Sequence, residues 1–194
     1  MRFSDGQTLA VIGAGPKGLA VAVKAKVLEE FGFPVPRVIL IEKHGVAAHW
    51  SGEFGYTNGE MKLGTSPEKD LVFPLQTDVG DPLLNDRIRR RLMDFSWAAF
   101  MIQSGRYSDW IDRGRPAPCH LLWATYLQWV ADELQPQIEI LNAEVAQADL
   151  TSSGDRWVLS LRAPSDACPI EPLEPPKSLE SLESLQVDRL MLTG

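Results

Sequence analysis

Six residues near the N-terminus, Gly13-Ala14-Gly15-Pro16-Lys17-Gly18, constrain this chain more than any other feature. They spell GxGxxG in full, between an apolar run and a helical pattern. The run Thr8 to Gly13 (TLAVIG) is short and continuously apolar, as in a strand buried on both faces. From Pro16 to about Phe31 the spacing turns helical, with Leu19, Val23 and Val27 four apart, and Gly32, Pro34 and Pro36 stop it. Arg37 to Glu42 (RVILIE) reads as a second buried strand. Strand, helix and strand within about 35 residues make a βαβ unit, whose crossover is expected to be right-handed.

Each position of the loop has a physical reason. Gly13 allows the tight turn out of the strand, Gly15 lets the backbone approach a pyrophosphate, and Gly18 lets the helix pack against the sheet. Ala14 and Lys17 complete the loop, and Pro16 near the first helical position sacrifices no needed hydrogen bond. The helix N-terminus turns free N–H groups and a positive dipole end toward the phosphates. Glu42, followed by Lys43, closes the second strand 24 positions after Gly18. That is near the ~20 positions expected for an acid on a ribose hydroxyl. A carboxylate there repels a 2′-phosphate, which argues against NADP in this particular site and leaves FAD and NAD. The Tyr–Lys pair of a short-chain dehydrogenase is missing: Glu60, Ile111 and Val130 stand four residues after Tyr56, Tyr107 and Tyr126. No GxSxG elbow is present.

Composition narrows the class further. A chain of 194 residues, 44% hydrophobic, can bury a sizeable core. Its net charge of -7 is the wrong sign for a nucleic-acid partner. The basic cluster Arg87, Arg89, Arg90 and Arg91 sits in an amphipathic pattern and reads as a solvated helix face. Cys119 and Cys168 are far apart without a CxxC, and His44, His49 and His120 lack zinc-site spacing. No signal peptide or membrane-spanning run is visible, so a cytoplasmic location is expected.

Beyond Glu42, residues 44 to 85 show little periodicity and are rich in turn formers, a length that points to a functional loop. A helix is expected from Asp86 to Gln103, with Ile88, Leu92, Phe95, Ala99 and Ile102 on one face. Another is expected from about Cys119 to Leu134, with Trp123, Leu127, Val130 and Leu134 inward. Short strands are expected at Glu139 to Leu141, Glu144 to Ala148 and Trp157 to Leu161. Residues 1–162 thus form one unit. Residues 163–186 read as a mobile Pro/Glu/Ser-rich insertion, and residues 187–194 (VDRLMLTG) as a strand returning to the first unit. The fold class is α/β: a Rossmann-like βαβ with a parallel sheet and packed helices.

Several segments together resemble the flavin-dependent N-hydroxylating monooxygenases of siderophore biosynthesis, the lysine and ornithine hydroxylases. They are VIGAGPKGLAVAVKA, IEKHGVAAHW, LGTSPEKDLVFP, RYSDWIDRGRPAP, TYLQWVADEL and VDRLMLTG. The likeness is strongest to the mycobactin-type lysine hydroxylases, and it covers nearly the whole chain outside the insertion. It implies FAD reduced by NADPH, O2 as co-substrate, and hydroxylation of the uncharged side-chain amine of lysine or acyl-lysine on the way to a hydroxamate. It further implies that Gly13, Ala14, Gly15, Pro16, Lys17, Gly18, Glu42 and Lys43 hold FAD, that Trp50 lies beside the flavin, and that Lys69 grips the substrate carboxylate.

The likeness has departures. Many members carry Ser-Asn where Lys17-Gly18 stand, and Gln where Gly64 stands. In the family an NADPH domain interrupts the FAD domain, and no second glycine-rich βα turn occurs here. The expectation is an N-terminal part truncated before the NADPH domain, partnered by a second copy of itself or by a missing C-terminal half. The alternative is a non-catalytic nucleotide-binding fragment.

Overall fold

A computed structural model describes residues 6–54, 57–164 and 183–193. The chain runs β1 (Thr8–Ile12), α1 (Pro16–Glu30), β2 (Arg37–Glu42), α2 (Ala48–Ser51), α3 (Pro82–Met93), α4 (Trp97–Gln103), α5 (Tyr107–Asp112), α6 (His120–Leu134), β3 (Glu139–Asn142), β4 (Glu144–Leu150), β5 (Trp157–Arg162), β6 (Glu183–Val187) and β7 (Arg189–Leu192). Four strands form a sheet in the order β3-β2-β1-β7, all paired in parallel. Three form an antiparallel sheet in the order β4-β5-β6.

Alternation along the strands of the parallel sheet sorts the core into two layers. Val11, Val38 and Leu40 face the helices with Leu19, Val23, Ile88, Trp97, Leu127 and Val130. Ala10, Ile39 and Ile41 face the other way, against Leu159, Leu161 and Val187 of the antiparallel sheet. Both faces of β1 and β2 are therefore covered, which explains why their sequences read as unbroken apolar runs.

The expected α/β architecture with a parallel sheet is present. Two local expectations are corrected. The helix foreseen over Asp86–Gln103 is two helices, parted at Asp94–Ser96. Ser96 Oγ accepts the Ala99 amide at 3.1 Å and so caps a new start. The break rotates the buried face: Phe100 and Met101 are inside, while Ile102 is 61% exposed. The returning strand foreseen over 187–194 is also two elements. Asp188 leaves the ladder, accepts the Thr8 amide on Oδ2 at 2.7 Å, and switches the chain from the antiparallel sheet to the parallel one. The strand β6 begins at Glu183, inside the span read as an insertion. Cys168 and most of that span lie outside the described residues.

The arginine cluster is a solvated helix face. Arg90 pairs with Asp86 at 2.7 Å, and Arg91 reaches Glu30 of α1 at 2.7 Å and also lies over the Phe95 ring. No helix among the described residues is long and apolar enough to cross a membrane.

Candidate functional site

The strand β1 delivers the chain to Gly13, whose amide donates to Ile41 O at 2.8 Å and whose φ is +109°. A Cβ there would stand 2.4 Å from Thr193 Oγ1. A Cβ on Gly18 would stand 2.1 Å from Gly13 O and 3.5 Å from a Val11 methyl, so this glycine is required by the close approach of helix to strand. Gly15 differs from both. Its φ of -83° suits any residue, and nothing lies within 4 Å of where its Cβ would be. Nothing in the protein itself demands glycine at this position; the space it leaves faces outward.

The first helical hydrogen bond of α1 runs from Leu19 N–H to Gly15 O at 3.0 Å. Ahead of it, no acceptor among the described residues takes the amides of Gly15, Lys17 or Gly18, and no side chain caps the helix. Beside this cluster stands Glu42, half-buried. Its Oε2 accepts the Ala14 amide at 3.1 Å and its Oε1 accepts the His44 amide at 3.1 Å. A carboxylate offers about four acceptor positions, so room for two hydroxyl donors remains. Free amides, an open glycine and an acid with spare acceptors fit a nucleotide's pyrophosphate and ribose.

Two further pieces complete the surroundings. Thr193, at the end of β7, donates its hydroxyl to Ile12 O at 2.9 Å and bears on Gly13 O at 3.3 Å. Sequence reasoning assigned Thr193 nothing; only the sheet order brings it to the loop. The short helix α2 is set between left-handed residues, Ala47 at φ 59° and Gly52 at φ 91°, and the Ala47 amide donates to Ala14 O at 3.2 Å. It presents Trp50, whose ring meets His120 edge-on at 4.8 Å between centroids. His120 Nδ1 in turn shares a 2.7 Å hydrogen bond with Thr57 Oγ1.

Of the residues singled out in the sequence, the structure gathers Gly13 to Gly18 and Glu42 directly, and ties Trp50 to them through α2. Lys43 and Lys69 are exposed. No hydrogen bond or ion pair among the described residues joins Lys69 to the Glu42 cluster. Lys69 is also not paired with its acidic neighbours. Glu68 binds Arg115 at 3.1 Å, and Asp70 accepts the Trp97 amide at 2.8 Å together with those of Val72 and Phe73. Burial pushes the Asp70 carboxyl above the usual carboxylate range despite these amides. Tyr126, wholly buried with its hydroxyl on Phe95 O, is pushed up by burial and by the nearby Asp70.

A glycine loop at the carboxyl end of β1, answered by an acid at the end of β2, defines a dinucleotide-binding domain of the Rossmann type. No family-level sequence profile matches the chain. It is 45% identical over 152 residues to the L-lysine N6-monooxygenase MbtG of Mycolicibacterium paratuberculosis, covering 78% of this chain and 34% of that protein. The match to MbtG of Mycobacterium tuberculosis has the same identity and coverage. Among solved structures, the lysine monooxygenase NbtG from Nocardia farcinica superposes with a TM-score of 0.79 at 39% identity, over 97% of this chain and 54% of that one. The ornithine N-hydroxylase KtzI of Kutzneria sp. 744 shares the fold, with a TM-score of 0.65 at 16% identity over 96% of this chain and 37% of that one. The chain is thus similar to N-hydroxylating monooxygenases, and it spans about a third of the length of the curated relatives it matches.

Proposed function

We propose that this chain forms the FAD-holding part of an L-lysine N6-monooxygenase that uses FAD, NADPH and O2 in hydroxamate siderophore biosynthesis of the mycobactin kind. The observation that carries the reading is Gly15. It is a glycine with ordinary dihedrals, open space at its missing Cβ and unpartnered amides around it, in a chain 45% identical to lysine N6-monooxygenases.

In this reading the amides of Gly15, Lys17 and Gly18 donate to the pyrophosphate, with Ala14 and Pro16 shaping the loop. Gly13 and Gly18 permit its fold, and Glu42 accepts the adenosine ribose hydroxyls while Ala14 and His44 hold its carboxylate in place. Lys43 lies at the edge of the same site. Trp50, braced by His120, walls the flavin side. Lys69, left unpaired by Glu68 and Asp70, takes the carboxylate of lysine or acyl-lysine as a point charge. When bound, reduced flavin supplies the activation of O2. This chain's contribution is to bind and orient it and to screen it from water.

Flavin fluorescence titration of the purified chain tests this. FAD should bind with its emission quenched, and NADH should not compete. N6-hydroxylysine should form from L-lysine and NADPH once this chain is joined to an NADPH-binding part. A chain that ignores FAD and binds NADH instead refutes the reading.

A further inference from the structure

We propose that Asp70 is a positioning residue for substrate: by clamping its own loop to the N-terminus of α4, it fixes where the Lys69 ammonium stands. The proposal rests on the reading of Lys69 as the substrate's carboxylate partner.

Three observations carry it. First, Asp70 spends both oxygens on backbone. Oδ1 accepts the amides of Val72 at 3.1 Å and Phe73 at 3.2 Å, which closes a tight turn immediately after Lys69. Oδ2 crosses to another element and accepts the Trp97 amide at 2.8 Å. Second, the Trp97 amide belongs to the first residue of α4, one of the orphan donors of that helix; Ser96 Oγ serves the Ala99 amide, so the two caps do not compete. Third, the anchor is rigid. Trp97 is 1% exposed and meets Trp110, Trp123 and Tyr126 within the aromatic core.

On the other flank of Lys69, its amide closes a turn on Ser66 O at 3.0 Å, and Glu68 is tied to Arg115. The exposed lysine is therefore the free member of a stretch held on both sides. No cation pairs with Asp70 among the described residues. A half-buried carboxylate kept without a counter-ion costs desolvation energy. A charged acceptor does make the strongest link to a helix N-terminal amide.

The experiment compares the full chain, loaded with FAD, in three forms: native, Asp70→Asn and Lys69→Ala. Asn keeps one carbonyl oxygen, which can hold the turn or reach Trp97 but not both. Two readouts are taken: calorimetric titration with L-lysine, and the rate of tryptic cleavage after Lys69. Asp70→Asn should weaken lysine binding about tenfold, the scale of one lost charged hydrogen bond. It should also speed cleavage at Lys69 while FAD affinity stays constant. Unchanged lysine affinity in Asp70→Asn, with or without faster cleavage, overturns the proposal when Lys69→Ala has lost binding. If Lys69→Ala binds lysine like the native chain, or the native chain binds none, the underlying reading of Lys69 falls, and this proposal with it.

Discussion

Gly15 and Gly18 both lack a Cβ, for opposite reasons, and one pair of variants separates them. Gly15→Val fills the outward space where phosphate is expected, so FAD affinity should fall by on the order of a hundredfold while the melting temperature without ligand stays near the native value. Gly18→Ala drives a Cβ into Gly13 O, 2.1 Å away, so it should cost about 1–3 kcal/mol in a denaturant melt even with no ligand present. At Glu42, Gln keeps one carbonyl acceptor and loses the charge. FAD titration of Glu42→Gln should show about tenfold weaker binding, the scale of a charged hydrogen bond. These residues were legible in the sequence because their geometry is local: strand, turn and helix follow one another within a few positions. Thr193 was not legible, since its place beside Gly13 depends on which strand neighbours β1. Asp70 was legible as part of a motif, but its hold on Trp97 required the fold.

Between elements, α1 and α3 share the apolar core and are joined at its rim by Glu30 and Arg91 at 2.7 Å. The Arg91 hydrogen bond holds the Glu30 carboxyl below its usual 4.5. A depressed folded value means the contribution is complete above about pH 4.5 and fades as pH falls through the folded value. Thermal melts should therefore show native chain and Glu30→Gln differing most near neutrality and converging in acid. The cap of α4 offers a second test: Ser96→Ala should cost about 1 kcal/mol in urea unfolding. Periodicity found the long helices α1 and α6, and every residue it named as inward in them is buried. It ran α3 and α4 together because Phe95 happens to continue the spacing across the break. The cap at Ser96 was a visible stop-and-start signal that the apolar pattern masked.

At the scale of the molecule, three layers follow from the two-sided burial of β1 and β2, with helices on one face and the antiparallel sheet on the other. The parallel sheet was foreseen from βαβ logic. The antiparallel sheet was only half seen, because β6 lies where composition is dominated by Pro, Glu and Ser. Since the candidate site draws on β1, α1, β2 and β7 together, ligand should stabilise the whole. FAD at a hundred times its dissociation constant should add about 2.7 kcal/mol to unfolding, and Gly15→Val should abolish that gain in calorimetry.

The contact between Thr193 and Gly13 spans 180 positions of chain. On a translating ribosome adding about 5–20 residues per second, the loop's own glycines emerge on the order of ten seconds before the threonine that braces them. Cofactor capture in the final geometry thus waits until β7 has emerged. An arrested nascent chain exposing residues through 186 should leave flavin emission bright, and one exposing Thr193 should dim it.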